Sequence, residues 1–138
     1  MTRIGLFFAA LLMAVSVNAN ETRDIFKGKL FPPNVVLEFR EELDLSKAQY
    51  TGIRSAVVAV QAEVAEHEWD MQEAYSRVLN LLDQRPRDEA LVTREVTAVL
   101  QAENRVKLAQ MKMLVKIRNL LNDEQVEFLE ANWSREDN

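Results

Sequence analysis

Apolar side chains recur three and four residues apart along two long stretches of the chain, one on either side of Pro86. The stripe of the first stretch consists of Ile53, Val57, Val60, Val64, His67, Met71, Ala74, Val78 and Leu82. The stripe of the second consists of Val92, Val96, Val99, Glu103, Val106, Gln110, Met113, Ile117 and Leu120. Such heptad-like spacing predicts two long helices rather than strands. Pro86 cannot continue a helix and lies in a short polar segment, so the helices are predicted to form an antiparallel hairpin.

The position of the turn also predicts which residues of the two helices face each other. A turn centred on Arg85 places Ile53 opposite Ile117, as in other antiparallel helix pairs. The same alignment places His67 opposite Glu103, so the two polar members of the apolar stripes are predicted to meet. This coincidence is either chance or a polar layer between the helices.

Capping residues predict where the long helices begin. Ser46-Lys47-Ala48-Gln49 has the spacing of a capping box, in which the serine oxygen and the glutamine side chain bond each other's backbone N–H groups. Asp88 supplies a carboxylate that suits the N-terminus of the second long helix. Between Val106 and Leu121 that helix is apolar on nearly every side, which predicts that other helices cover it there.

Two short helices are predicted to provide this cover. The first runs from Val35 to Leu43, after Pro32-Pro33 and with Asn34 as its N-cap. The last runs from Asp123 to Trp133, after a second capping sequence that begins at Asn122. The fold class is therefore all-α, a long antiparallel helical hairpin with short flanking N- and C-terminal helices within residues 32–133. A hairpin buries only one stripe on each helix, so a second copy is expected to cover the rest in a homodimer.

The N-terminus has the pattern of a secretory signal peptide in residues 1–19. Arg3 gives a positive start, an apolar run of about fourteen residues follows, and Val17-Asn18-Ala19 places small residues at a cleavage site. Such a run is shorter than the roughly twenty residues of a membrane span. A periplasmic protein cleaved after Ala19 is predicted, with an uncleaved inner-membrane anchor as the alternative. Residues 20–31 are interpreted as a flexible arm, either disordered or docked on a partner, and residues 134–138 as a polar tail.

Composition excludes several classes of function. The chain has 138 residues and a net charge of −5, which becomes −6 when Arg3 is removed with the signal. An acidic chain without a basic, aromatic-lined surface is a poor nucleic-acid binder. The chain has only three glycines, too few for a glycine-rich loop that binds phosphate. It has no cysteine, so packing and not disulfide bonds must hold the fold. No nucleophile is accompanied by a base, so an enzyme is not expected.

Two five-residue motifs carry a resemblance to a known family. Leu45-Ser46-Lys47-Ala48-Gln49 precedes the first long helix, and Leu121-Asn122-Asp123-Glu124-Gln125 follows the second. Both match the Leu-Thr-x-x-Gln type, with Ser46 and Asn122 in the threonine position. Together with the signal peptide and four helices, this chain resembles the Spy/CpxP family of periplasmic stress proteins and its heavy-metal-sensing relatives. The motif residues are Leu45, Ser46, Gln49, Leu121, Asn122 and Gln125.

The resemblance implies a hairpin that dimerises into a curved cradle. Family members act as ATP-independent chaperones for unfolded or envelope proteins, bind membrane-bound regulators, or sense heavy metals through several histidines. This chain contains a single histidine, His67, so no metal-ligand set can be carried over by position. The first hypothesis is thus a stress chaperone or adaptor without a cofactor, and the alternative is a metal sensor that signals to a membrane partner.

Candidate ligands for a divalent transition metal are Glu63, His67 and Glu103. Glu63 and His67 are one helical turn apart, and Glu103 is predicted to face them. One imidazole and two carboxylates form a small ligand set for a soft metal. There are two other interpretations of His67. It could form a polar layer with Glu103 that fixes the register of the helices, or it could gain a charge in acid and act as a pH switch.

Candidate residues for binding a client or partner protein are Phe39, Trp69 and Met111, together with Phe26 and Phe31 in the arm. Trp69 belongs to a second stripe on the first long helix, which is taken to lie beside the first stripe. The members of that second stripe are Val58, Ala62, Ala65 and Trp69. A contact within the chain or between two copies is the alternative role for Trp69.

Overall fold

The computed structural model describes residues 26–133, and the predicted signal peptide and polar tail lie outside that range. Four helices follow one another in this part of the chain, and it contains no β-strand. Helix α1 spans Pro33–Glu38, α2 spans Lys47–Asp83, α3 spans Glu89–Leu120 and α4 spans Asp123–Trp133. The predicted all-α class is confirmed, and so is the packing of two long helices against each other. None of the described helices has the length and apolarity needed to cross a membrane.

The two long helices begin at the predicted caps. Ser46 and Gln49 form a reciprocal capping box, with the Gln49 N–H donating to the Ser46 hydroxyl at 3.1 Å. Asp88 accepts from the Leu91 N–H at 3.1 Å at the start of α3. Helix α2 has 37 residues, and at about 1.5 Å per residue it is roughly 55 Å long. A helix of that length depends on packing against a second helix, here α3, for its stability.

Helix α4 also begins as predicted. The Asn122 side chain accepts from the Gln125 backbone N–H at 2.8 Å, and the Gln125 side-chain oxygen Oε1 accepts from the Asn122 backbone N–H at 3.0 Å. This is the same reciprocal arrangement as at the start of α2. Both five-residue motifs therefore act as helix caps.

Helix α1 is shorter than predicted and has a different cap. It begins at Pro33 after Pro32 and ends at Glu38, and no side chain caps it. A proline with its fixed φ suits the first helical position, so Asn34 lies inside the helix instead of capping it. Residues 39–44 form turns, and Asp44 has a positive φ of 47°. The predicted extension of this helix to Leu43 is therefore wrong.

The main core lies at the open end of the hairpin, away from the turn at residues 84–88. Helices α1 and α4 close this end as predicted, and edge-to-face pairs link Phe31 with Trp133 and Phe39 with Phe128. The buried residues of this cluster are Phe31, Val35, Val36, Leu43, Ile53, Ala56, Ile117, Leu121, Val126 and Leu129. A second, smaller cluster nearer the turn contains Met71, Ala74, Val99 and Ala102.

The end of the predicted arm packs on α4 and is not free. Phe31 is fully buried, and the Lys29 ammonium lies 3.7 Å from the Glu130 carboxylate. Gly28 has a φ of 79°, which a residue with a side chain rarely adopts, and it allows the chain to turn before Phe31. Lys29 and Phe31 of the predicted arm therefore contact α4 of the same chain, while residues 20–25 lie outside the described part of the chain.

Candidate partner-binding surface

The stripe of Val58, Ala62, Ala65 and Trp69, called the α2 stripe below, points away from the hairpin. Trp69 is 70% exposed and Val58 is 58% exposed, and both alanines are exposed as well. Trp69 lies two residues before buried Met71, which at about 100° per residue places it on the opposite side of the helix. The prediction that this stripe lies beside the buried one is therefore wrong. It forms the outer edge of the hairpin.

Acidic side chains surround the α2 stripe. No lysine or arginine occurs between Arg54 and Arg77. Five carboxylates occur in the same interval, at Glu63, Glu66, Glu68, Asp70 and Glu73. At helical spacing, Glu66 and Glu73 flank Trp69 on one side of the stripe and Glu68 flanks it on the other. The α2 stripe is thus an apolar surface with a negative border.

Helix α3 carries an outward apolar stripe of its own. It consists of Leu100, Leu108, Met111 and Val115 and is called the α3 stripe below. Leu108 is 55% exposed, Leu100 and Val115 are also exposed, and Met111 is half-buried. The flanking helices were expected to cover α3 on every side, and that expectation is wrong for Leu108 and Val115. Helices α1 and α4 pack in the cluster that contains Ile117.

The border of the α3 stripe is positive. Glu103 is the single carboxylate between Glu95 and Asp123. The same interval contains the basic residues Arg105, Lys107, Lys112, Lys116 and Arg118. At helical spacing, Arg105, Lys112 and Lys116 lie on one side of the stripe, and Lys107 and Arg118 on the other. The two outer edges of the hairpin therefore carry opposite charge.

The predicted client-binding residues do not form one surface within a chain. Phe39 packs against Phe128 at the open end, and Phe31 is in the core. Trp69 and Met111 belong to stripes on opposite edges of the hairpin. Of the predicted residues, Trp69 is the most exposed at 70%, and Phe26 is exposed to a smaller extent.

His67 contacts acidic residues of its own helix, not Glu103. Its imidazole lies 3.8 Å from the Glu63 carboxylate and 3.9 Å from that of Asp70, and Nδ1 has no hydrogen-bond partner. Glu103 instead accepts from the Tyr75 hydroxyl at 3.2 Å. Residues 26–133 contain no group of three acidic or histidine side chains placed to hold a metal. The structure thus does not bring Glu63, His67 and Glu103 together, and the described partner of Glu103 is Tyr75 instead.

Two polar contacts join α2 and α3 toward the turn. Burial, together with the negative charge and hydrogen bond of Glu103, raises the pKa of Tyr75, so its hydroxyl remains a donor. Nearer the turn, the Arg77 guanidinium donates to the Glu95 carboxylate at 2.7 Å, and this bond lowers the pKa of Glu95. Contacts between Arg77 and Glu95 at one end, and between Gln49 and Leu120 at the other, show that the helices run antiparallel.

The two family-type motifs meet at the open end through their glutamines. The Gln49 amide donates to the Gln125 oxygen at 2.7 Å, and the Gln125 amide donates to the Gln49 oxygen at 3.1 Å. Gln49 also donates to the Leu120 carbonyl at 2.8 Å, and Gln125 to the Leu43 carbonyl at 3.0 Å. This reciprocal amide pair connects the caps of α2 and α4. The sequence feature that could have indicated this contact is the glutamine at the last position of both motifs.

A scan of protein-family models, a search of curated proteins and a search of solved structures each give no match to this chain.

Proposed function

We propose that this chain is an exported protein of the Spy/CpxP type that binds unfolded or envelope proteins without a nucleotide or metal cofactor. The observation that carries the proposal is Trp69, a large aromatic residue left 70% exposed on an apolar stripe along a rigid helix. Aromatic side chains with this exposure are favoured at protein-binding sites, because they bury a large area with few rotatable bonds.

Three further features support the proposal. The two motifs that resemble the family hold the open end together through Gln49 and Gln125. The signal-like N-terminus supports a periplasmic location. A binding protein that works by surface contact also needs no catalytic group, in agreement with a sequence that offers no nucleophile and base.

The test is the suppression of aggregation of insulin B chain after reduction of insulin, followed by light scattering in the presence of a chelator. The chain contains no cysteine, so the reductant leaves it unchanged. We expect suppression at near-stoichiometric amounts of the purified protein. Trp69→Ala should raise the concentration for half-suppression about tenfold, the effect of losing roughly 1.4 kcal/mol at a central aromatic contact.

Tyr50→Ala is the matched control. Tyr50 is an exposed aromatic residue on the same helix but lies near the open end, outside the α2 stripe. It should suppress like the wild type. An equal loss in both variants would show a general effect of surface aromatics, and no suppression by the wild-type protein would refute the chaperone proposal.

A further inference from the structure

We infer that the α2 stripe of one copy binds the α3 stripe of a second copy, so that this protein associates head to tail through edges of opposite charge. This inference goes beyond client binding, and because both use the α2 stripe, a second copy and a client would compete for Trp69. The inference rests on the shape, polarity and placement of the two stripes.

The shapes of the two stripes are complementary. The α2 stripe places the small side chains of Ala62 and Ala65 between Val58 and Trp69. The α3 stripe presents larger side chains, with Leu108 55% exposed and Val115 also exposed. Helices pack closely where large side chains of one enter spaces between side chains of the other.

The charges decide which stripes can pair. The α2 stripe is bordered by Glu66, Glu68 and Glu73, and the α3 stripe is bordered by Lys107 and Lys112 among other cations. Two α2 stripes would bring like charges together, and so would two α3 stripes, at a free-energy cost. Pairing α2 with α3 of another copy brings opposite charges together along both borders. A second copy is therefore a partner that fits each stripe.

The placement of the stripes determines the form of the assembly. They lie on opposite outer edges of the hairpin, so one pair of copies cannot satisfy both stripes across a two-fold axis. Each contact leaves one free α2 stripe and one free α3 stripe, which is a heterologous contact that continues into a ring or an open filament. The apparent mass should consequently rise with concentration and pass that of a dimer, in contrast to the closed cradle dimer that the family resemblance implies.

Sedimentation velocity of the purified protein tests this inference. At about 0.02 M salt the apparent mass should increase with concentration, and at about 0.5 M salt it should fall toward the monomer because screening weakens the charged borders. The double variant Glu66→Lys, Glu68→Lys should associate at least about tenfold more weakly than the wild type, since attraction becomes repulsion. Lys107→Glu, Lys112→Glu should do the same.

Mixing these two double variants provides the decisive arm. Each alone has a weakened attraction between its own two edges. In the mixture, the unaltered α2 border of the Lys107→Glu, Lys112→Glu variant meets the unaltered α3 border of the other variant, so association should return as pairs of unlike copies. Glu41→Lys, Glu42→Lys is the matched control, because it makes the same change of net charge in the turn region after α1. It should associate like the wild type.

Several results would overturn the inference. A monomer at all concentrations in low salt, a closed dimer unaffected by charge reversal, or no recovery on mixing would each do so. Circular dichroism of every variant establishes that it is folded. A monomer that still suppresses insulin aggregation would refute self-association and leave the proposed function intact. A protein that associates but does not suppress aggregation would refute the proposed function and support self-association.

Discussion

Replacement of Gln125 by methionine tests the reciprocal amide pair at the open end. The Gln125 side chain is only 6% exposed and makes four hydrogen bonds. It accepts from the Asn122 N–H and the Gln49 amide, and it donates to the Leu43 carbonyl and the Gln49 oxygen. Methionine keeps the length and most of the volume of the side chain, so packing changes little while all four bonds are lost.

The size of the effect follows from these contacts. A buried hydrogen bond contributes about 1 kcal/mol net, and a buried group left without a partner costs about 1–3 kcal/mol. Gln49 retains its bonds to Leu120 and Ser46, while the Leu43 carbonyl loses the partner described above. We therefore expect Gln125→Met to lower the free energy of unfolding by about 3 kcal/mol, a large part of the roughly 5–15 kcal/mol of a typical domain.

Urea denaturation followed by far-ultraviolet circular dichroism measures this change. With a slope of about 2 kcal/mol per molar urea, the midpoint should fall by roughly 1.5 M. Gln101→Met is the control, because Gln101 is exposed on α3 and its replacement should alter the free energy by less than about 0.5 kcal/mol. If Gln125→Met shifts the midpoint no more than this control, the amide pair does not stabilise the open end.

A double-mutant cycle with Gln49→Met adds a second, independent check. The two glutamines bond each other twice, so removing one already removes the bonds that the other would lose. The double variant should be more stable than the sum of the single changes predicts, by about 1–2 kcal/mol. Strict additivity would contradict the direct contact between the two side chains.

Two further substitutions test contacts of α2. Gly52→Ala should not raise the free energy of unfolding by the roughly 1 kcal/mol usual for a helix interior, because the new Cβ would lie 2.9 Å from Leu120 Cδ1. In a Leu120→Ala background, urea denaturation should show this stabilisation. Full stabilisation in the presence of Leu120 would contradict the crowding. His67→Leu should raise the free energy of unfolding by about 1 kcal/mol, since it removes a buried Nδ1 without a hydrogen bond. A lower melting temperature would instead show that the contacts of His67 with Glu63 and Asp70 are stabilising.

The helices and their caps could be predicted because local chemistry determines them. Ser46, Asp88 and Asn122 each cap the helix that the sequence predicted, since the capping bonds join residues three positions apart. Helix α1 was predicted less well. A proline at the first helical position sets its start, and the chain leaves the helix at Phe39 for the turns of residues 39–44; apolar spacing does not reveal either feature.

The candidate sites depended on distances that spacing alone does not give. The pairing of His67 with Glu103 assumed that facing positions touch, but the longer side chain of Tyr75 reaches Glu103. The α2 stripe was assigned to the wrong side of its helix because its spacing matches that of the buried stripe. Angular position relative to Met71 separates the two, and that calculation requires only the sequence and about 100° per residue.

The uneven distribution of the core means that the two ends of the hairpin should open independently of each other. Helix α2 has no buried residue after Ala74, and α3 has none before Val99. Residues 75–98 are therefore held by partly buried side chains such as Val78 and Ala98 and by polar contacts such as Arg77 with Glu95, without a fully buried core. Segments of this kind unfold locally at low free energy. Their amide protons should exchange with deuterated solvent, and their peptide bonds should be cut by a protease, while the open end stays folded.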